Sequence, residues 1–148
     1  MTKLQGSLAL AAMAVALTPK AALLADSGQA GQLHITKECS QYTGAAGSFC
    51  TITSSNLAQI KIGTRVYYDQ PFNIPTGMLD SNVVLNVGTG DWAVGRCTLD
   101  GTTNLGVCTF SDGTGPLTSF HARVNVSPAG GADYHWDGTY SFSSEPDR

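Results

Sequence analysis

The densest chemistry in the chain lies in one alternating segment. From Ser119 to Ser127 the residues run S-F-H-A-R-V-N-V-S, with Phe120, Ala122, Val124 and Val126 on one face and Ser119, His121, Arg123, Asn125 and Ser127 on the other. That is the period-two pattern of a strand between two unlike surroundings. His121 and Arg123 therefore stand side by side, an imidazole that exchanges protons near neutrality and a guanidinium suited to holding an anion. Asp69, in the run G-T-R-V-Y-Y-D-Q from Gly63 to Gln70, is a carboxylate that can assist proton transfer. Asp80 is a second such carboxylate, whose competing use is to cap a turn. His121, His135 and Asp137 can be drawn together as metal ligands if their strands are adjacent. The competing account of the same residues is a solvated outer wall, and no metal or other cofactor is assigned.

The common catalytic signatures are missing. The chain has no G-x-S-x-G elbow, no H-E-x-x-H, no phosphate-binding Gly-Lys loop and no G-x-G-x-x-G after a strand. Its four cysteines fall into two pairs of equal spacing, Cys39 with Cys50 and Cys97 with Cys108. Folding a hairpin at Gly101-Thr102-Thr103-Asn104 sets Cys97 directly across from Cys108, and the first pair closes in the same way around Gly44 to Gly47. Zinc is the rival use of four cysteines, but the usual C-x-x-C spacing is absent, so two disulfides are expected and no free thiol nucleophile.

Disulfides imply an oxidising compartment, and the N-terminus agrees. Met1-Thr2-Lys3 carries a positive charge, and Leu8 to Leu17 is an apolar run of the length of a signal-peptide core. Pro19-Lys20 interrupts it well short of the roughly 20 residues a spanning helix needs. Residues 1–25 are expected to be a signal peptide, cut after Ala25 or alternatively after Ala30, so that 26–148 forms one secreted or periplasmic domain without a membrane span. That domain has 123 residues and a net charge of −5. The acidic balance argues against nucleic acid or an anionic membrane as partner.

Eight short strands must position these groups. They are expected at Gln32–Thr36, Ser48–Thr53, Gly63–Gln70, Ser81–Val87, Trp92–Leu99, Leu105–Ser111, Ser119–Ser127 and Tyr134–Phe142, with a short helical turn between Ser54 and Ile62. Pro71 to Leu79 is a patternless loop bearing Phe72, Ile74 and Met78, of the kind that folds over a barrel mouth or packs on a neighbouring subunit. The all-β pattern with glycine-rich turns predicts an eight-stranded antiparallel barrel, with a β-sandwich as the alternative.

Gly113-Thr114-Gly115, Leu117 and Phe120-His121-Ala122-Arg123-Val124 resemble the G-T-G-x-F-x-x-A-R-G-Y-V segment of plant dirigent proteins and the glycine-rich turn of allene oxide cyclases. His121 stands where dirigents carry Arg, and Ala122 where they carry Gly. The resemblance covers about twelve residues. It implies an eight-stranded barrel, a homotrimer or other homo-oligomer, and a cofactor-independent cyclase or coupling-guiding activity in which His121, Arg123 and Asp69 would be the catalytic groups.

Strand parity then decides what lines the lumen. With apolar faces inward, Val66, Tyr68, Leu85, Val94, Phe120, Val124, Trp136 and Tyr140 line it. With polar faces inward, as the resemblance implies for His121, the lumen holds His121, Arg123, Tyr67, Asp69 and Arg96, and partner subunits must cover the apolar faces. Apolar alternation favours the first arrangement and the resemblance favours the second. Tyr67, Tyr68, Arg96, Phe120, Trp136 and Tyr140 are accordingly the candidate ligand-binding residues across the two parities. The expectation is an exported barrel that binds a small hydrophobic molecule. The alternative is a noncatalytic structural or ligand-binding protein of the cell envelope or extracellular space.

Overall fold

A computed structural model describes residues 28–143. The expected signal peptide over residues 1–25 lies outside the described residues. Strands β1 (Ala30–Glu38), β2 (Phe49–Ser55), β3 (Arg65–Tyr68), β4 (Met78–Gly88), β5 (Asp91–Asp100), β6 (Leu105–Gly113), β7 (Phe120–Gly130) and β8 (Asp133–Phe142) run up and down in chain order. They close into an eight-stranded antiparallel barrel. The sandwich alternative fails at the closing seam, where β1 pairs with β8 without a break from Ala30 opposite Ser141 to Glu38 opposite Asp133. Closure leaves no free edge to template pairing with another chain.

All eight expected strands are present, with shifted ends. The segment expected to start a helical turn after Ser54 is a non-helical turn instead. Its polar side chains bond to strands: Asn56 accepts from the His34 amide at 2.8 Å and donates to the Gln32 carbonyl at 2.9 Å. Leu57 and Ile60 of that turn are buried. The one helical element among the described residues is a single 3₁₀ turn, Gly115–Leu117, which buries Leu117.

The apolar faces point inward. Leu33 and Ile35 of β1, Val66 and Tyr68 of β3, Val83 and Leu85 of β4, and Phe120, Val124 and Val126 of β7 are all buried with Trp136 of β8. Val94 is the exception to the expected set and faces outward, because Ala93 and Cys97 hold the opposite parity of β5 inside. The barrel interior thus covers its own apolar residues, and no partner is needed for that purpose.

One end is plugged. Leu57, Ile60 and Leu117 belong to the same buried cluster as an aromatic layer in which Phe110 lies 5.4 Å from Trp136 and 6.3 Å from Phe120. Gly95 makes room for this layer, since a Cβ there would stand 2.7 Å from the Phe110 ring.

Both expected disulfides form at the other end. Cys39 joins Cys50 with Cα atoms 4.3 Å apart, and Cys97 joins Cys108 at 4.1 Å. The latter two residues are direct cross-strand partners, at the close spacing of a non-hydrogen-bonded antiparallel pair. The turn between them closes through the Asn104 amide, which donates to the Asp100 carbonyl at 2.7 Å, with Asn104 in the left-handed region at φ 57°.

Candidate functional site

At the disulfide-bearing end the interior is not filled. A cavity of about 350 Å³ opens there, with walls that include Tyr42, Tyr68, Leu79, Leu99, Val126 and Tyr134 and both disulfides. Sites for small molecules span roughly 300–1,000 Å³, so this one suits a small ligand.

The loop after Pro71 folds over the mouth, as its composition predicts. The Phe72 amide donates to the Gly44 carbonyl at 2.8 Å, and the Gly101 amide donates to the Gly77 carbonyl at 2.8 Å, so the loop is pinned to both adjacent turns. Phe72 contributes its ring to the cavity wall. Gly101 provides the seat: a Cβ there would come within 2.5 Å of Phe72 Cζ. Ile74 points away and is 84% exposed.

Lys37 is the charged residue of this wall. It is 4% exposed, and among the described residues no carboxylate lies within ion-pairing distance of it. Its Nζ donates to the Tyr68 hydroxyl. It lies 4.7 Å from the ring centre of Trp136, 5.2 Å from that of Tyr68 and 5.7 Å from that of Tyr134. Burial without a counter-charge lowers the Lys37 pKa to about 7, because desolvation penalises the ammonium and not the amine. Burial likewise raises the Tyr68 and Tyr42 hydroxyls above the ordinary tyrosine value. The Tyr42 hydroxyl is buried without a hydrogen-bond partner, as is Trp136 Nε1. Tyr134 donates to the Asn104 side-chain oxygen at 3.3 Å. The cavity therefore combines an aromatic and aliphatic wall with one amine and three phenolic hydroxyls.

The other candidate residues are distributed differently. Tyr68 lines the cavity, and Trp136 packs against Lys37. Phe120 is fully buried in the aromatic layer, and Tyr140 is half-buried beside Phe142, with ring centres 5.9 Å apart. Neither reaches the cavity wall. Tyr67 faces outward against Phe49, 5.5 Å between ring centres, beside an open groove that includes Lys61 and Arg65.

Arg96 is also on the outer wall, where its guanidinium holds both oxygens of Asp80 at 2.8 and 2.7 Å. That bond keeps the Asp80 carboxyl below the ordinary carboxylate range. Asp80 thus serves as an ion-pair partner on β4, and not as a turn cap. His121 and Arg123 lie on the outward parity of β7, and Asp69 is exposed just past β3. β3 and β7 stand on opposite sides of the ring of strands. The three proposed catalytic groups are therefore not brought together. Nor does the His121, His135 and Asp137 trio converge: Asp137 bonds His34 at 2.7 Å, His135 contacts Thr36 at 3.2 Å, and His121 sits opposite Ser141.

Lys37 escaped sequence reasoning because the first strand was ended at Thr36, one residue too soon. The signal was present. Leu33 and Ile35 set an inward parity whose next member is Lys37, and a lysine in such a series has to be buried or break the pattern. Tyr134 carries the same kind of signal two residues before Trp136.

The chain matches no protein-family model, no curated protein and no solved structure.

Proposed function

We propose that this protein is an exported barrel that holds a small molecule with an apolar body in its mouth cavity, oriented by a polar group on the ligand that meets Lys37 and Tyr68. The observation that carries this is the unfilled volume of about 350 Å³ with converging polar groups, at one end of a barrel whose other end is closed by Leu57, Ile60 and Leu117. Cores rarely leave such space empty, and the few polar atoms in an apolar wall are what fixes a ligand's orientation.

Two disulfides support an oxidising compartment. Gln29 supports signal cleavage after Ala25 over cleavage after Ala30, since its carbonyl accepts from the Phe142 amide at 2.7 Å at the start of the closing seam. The dirigent-like segment lies on β7 and in the turn before it, away from the cavity, so the ligand reading rests on the mouth alone.

The test is a titration with N-phenyl-1-naphthylamine, an apolar dye that fluoresces when desolvated. Saturable binding to the native protein, weakened about tenfold or more by Ala132→Trp, supports the reading, because Ala132 lines the cavity and an indole there would occupy it. Equal binding by native and filled proteins, or no binding at all, moves the assignment to a structural protein of the envelope or extracellular space.

A further inference from the structure

We infer that Lys37 is a nucleophile: its amine condenses reversibly with the carbonyl group of an aldehyde or unhindered ketone whose apolar body fills the mouth cavity. This rests on the ligand-binding reading above and names the chemical class of the ligand.

The geometry places a primary amine in the wall of an accessible apolar cavity without a carboxylate to hold it as ammonium. The titratable groups that face it are Tyr68 on β3, Tyr134 on β8 and Tyr42 in the loop after β1. None is an acid strong enough to keep the amine charged. Desolvation keeps a large fraction of it neutral near pH 7.5, and a desolvated lysine in a hydrophobic pocket is the usual way an amine nucleophile is activated.

Tyr68 completes the arrangement. Its oxygen accepts from Nζ, so its own proton points elsewhere, and among the described residues it meets no other acceptor. In the condensation the nitrogen lone pair attacks the carbonyl carbon, forming the C–N bond as the C=O π bond breaks. One nitrogen proton moves to the resulting alkoxide and gives a carbinolamine. The second nitrogen proton passes to the Tyr68 oxygen while the Tyr68 proton goes to the departing hydroxyl, which leaves as water. The product is an imine, one water is released, and Tyr68 ends as it began. No oxidant or metal enters the balance. Trp136 and Tyr134 supply ring faces on which the cationic form of the imine nitrogen is stabilised.

Lys61 provides an internal control. It is the other lysine among the described residues and is exposed in the turn between β2 and β3, at the plugged end. The mature protein is incubated at pH 7.5 with 2-naphthaldehyde and sodium cyanoborohydride, which reduces an imine to a stable secondary amine, and the adducts are located by peptide mass spectrometry.

The expected result is a single naphthylmethyl group on Lys37, formed roughly tenfold or more faster than on Lys61. Ala132→Trp suppresses it while leaving Lys37 in place, Lys37→Met abolishes it, and Tyr68→Phe slows it. Labelling of Lys61 or the α-amino group at an equal or greater rate overturns the inference, as does labelling of Lys37 that Ala132→Trp leaves unchanged. Should the dye bind and respond to Ala132→Trp while no Lys37 adduct forms, the imine falls and the noncovalent site stands. Should the dye also fail to bind, both fall.

Discussion

Lys37 Nζ donates to the Tyr68 hydroxyl across the barrel interior, joining an inward residue of β1 to one of β3. The pair is polar and buried, no carboxylate among the described residues lies within ion-pairing distance of Lys37, and both residues line the mouth cavity. The proposed ligand recognition would therefore share these two atoms with the stability of the fold.

The first prediction concerns pH. The folded-state pKa of Lys37 lies near 7 against an ordinary value of 10.5, so between these values the unfolded chain binds a proton that the folded chain does not. Stability should then rise with pH across that window and be lost as pH falls through 7, with a limiting slope of about 1.4 kcal/mol per pH unit. Urea unfolding at pH 6, 7.5 and 9 should show about 2 kcal/mol gained over the last interval. Lys37→Met should flatten this component and be the more stable protein at pH 6, since an apolar side chain replaces an unpaired buried charge. A variant with the native slope would contradict the buried ammonium.

The second concerns the disulfides. Each closes a loop with a sequence separation of 11 residues, for which chain entropy gives roughly 3 kcal/mol. Replacing Cys97 and Cys108 together by Ala should lower the unfolding free energy from urea titration by that order and also enlarge the cavity, whose wall these residues form. Replacing Cys39 and Cys50 should do the same and also loosen the loop that anchors Phe72. Loss of stability from only one of the two double replacements would contradict the equal roles assigned here.

The third concerns the outer wall. His121→Ala, Arg123→Ala and Asp69→Asn alter side chains outside the barrel, so each should leave N-phenyl-1-naphthylamine affinity within twofold and change stability by about 0.5 kcal/mol or less. A large loss of dye affinity in any of them would place ligand recognition on the outer face.

The fourth concerns the mouth loop. Gly101→Val puts a branched side chain where Phe72 Cζ now stands, so the ring must leave its seat. Proteolysis within residues 71–77 should then become faster while the urea midpoint changes little, because the loop adds few buried side chains to the core. Unchanged cleavage would mean that Phe72 does not hold the loop.

Much of the barrel was legible in the chain because β-strands announce themselves by alternation and by turn residues. Phe120, Ala122, Val124 and Val126 marked an inward face, and Gly101 to Asn104 set the register that joins Cys97 to Cys108. What alternation does not fix is which polar residue is drawn inside. His121 and Arg123 drew attention because they are adjacent on one face, yet adjacency on the polar face of a half-buried strand leads to water. Lys37 sits among the mouth groups at the end of a strand whose partners, Tyr68 and Tyr134, are distant in sequence, and closure alone brings them together. Val94 was misplaced for a simpler reason: Ala93, Gly95, Cys97 and Leu99 form the inward series of β5, so the residues between them face out.

The seam between the first and last strands has a practical consequence. Gln29 and Phe142 are bonded neighbours at the plugged end, so both termini of the described domain depart on the side facing away from the opening. A protein fastened to a surface or fused to another domain through either terminus would still present its mouth to the surrounding solution. Joining the two termini by a short linker and reopening the ring at the exposed Ile74 loop would relocate the chain ends to the rim without disturbing a single strand.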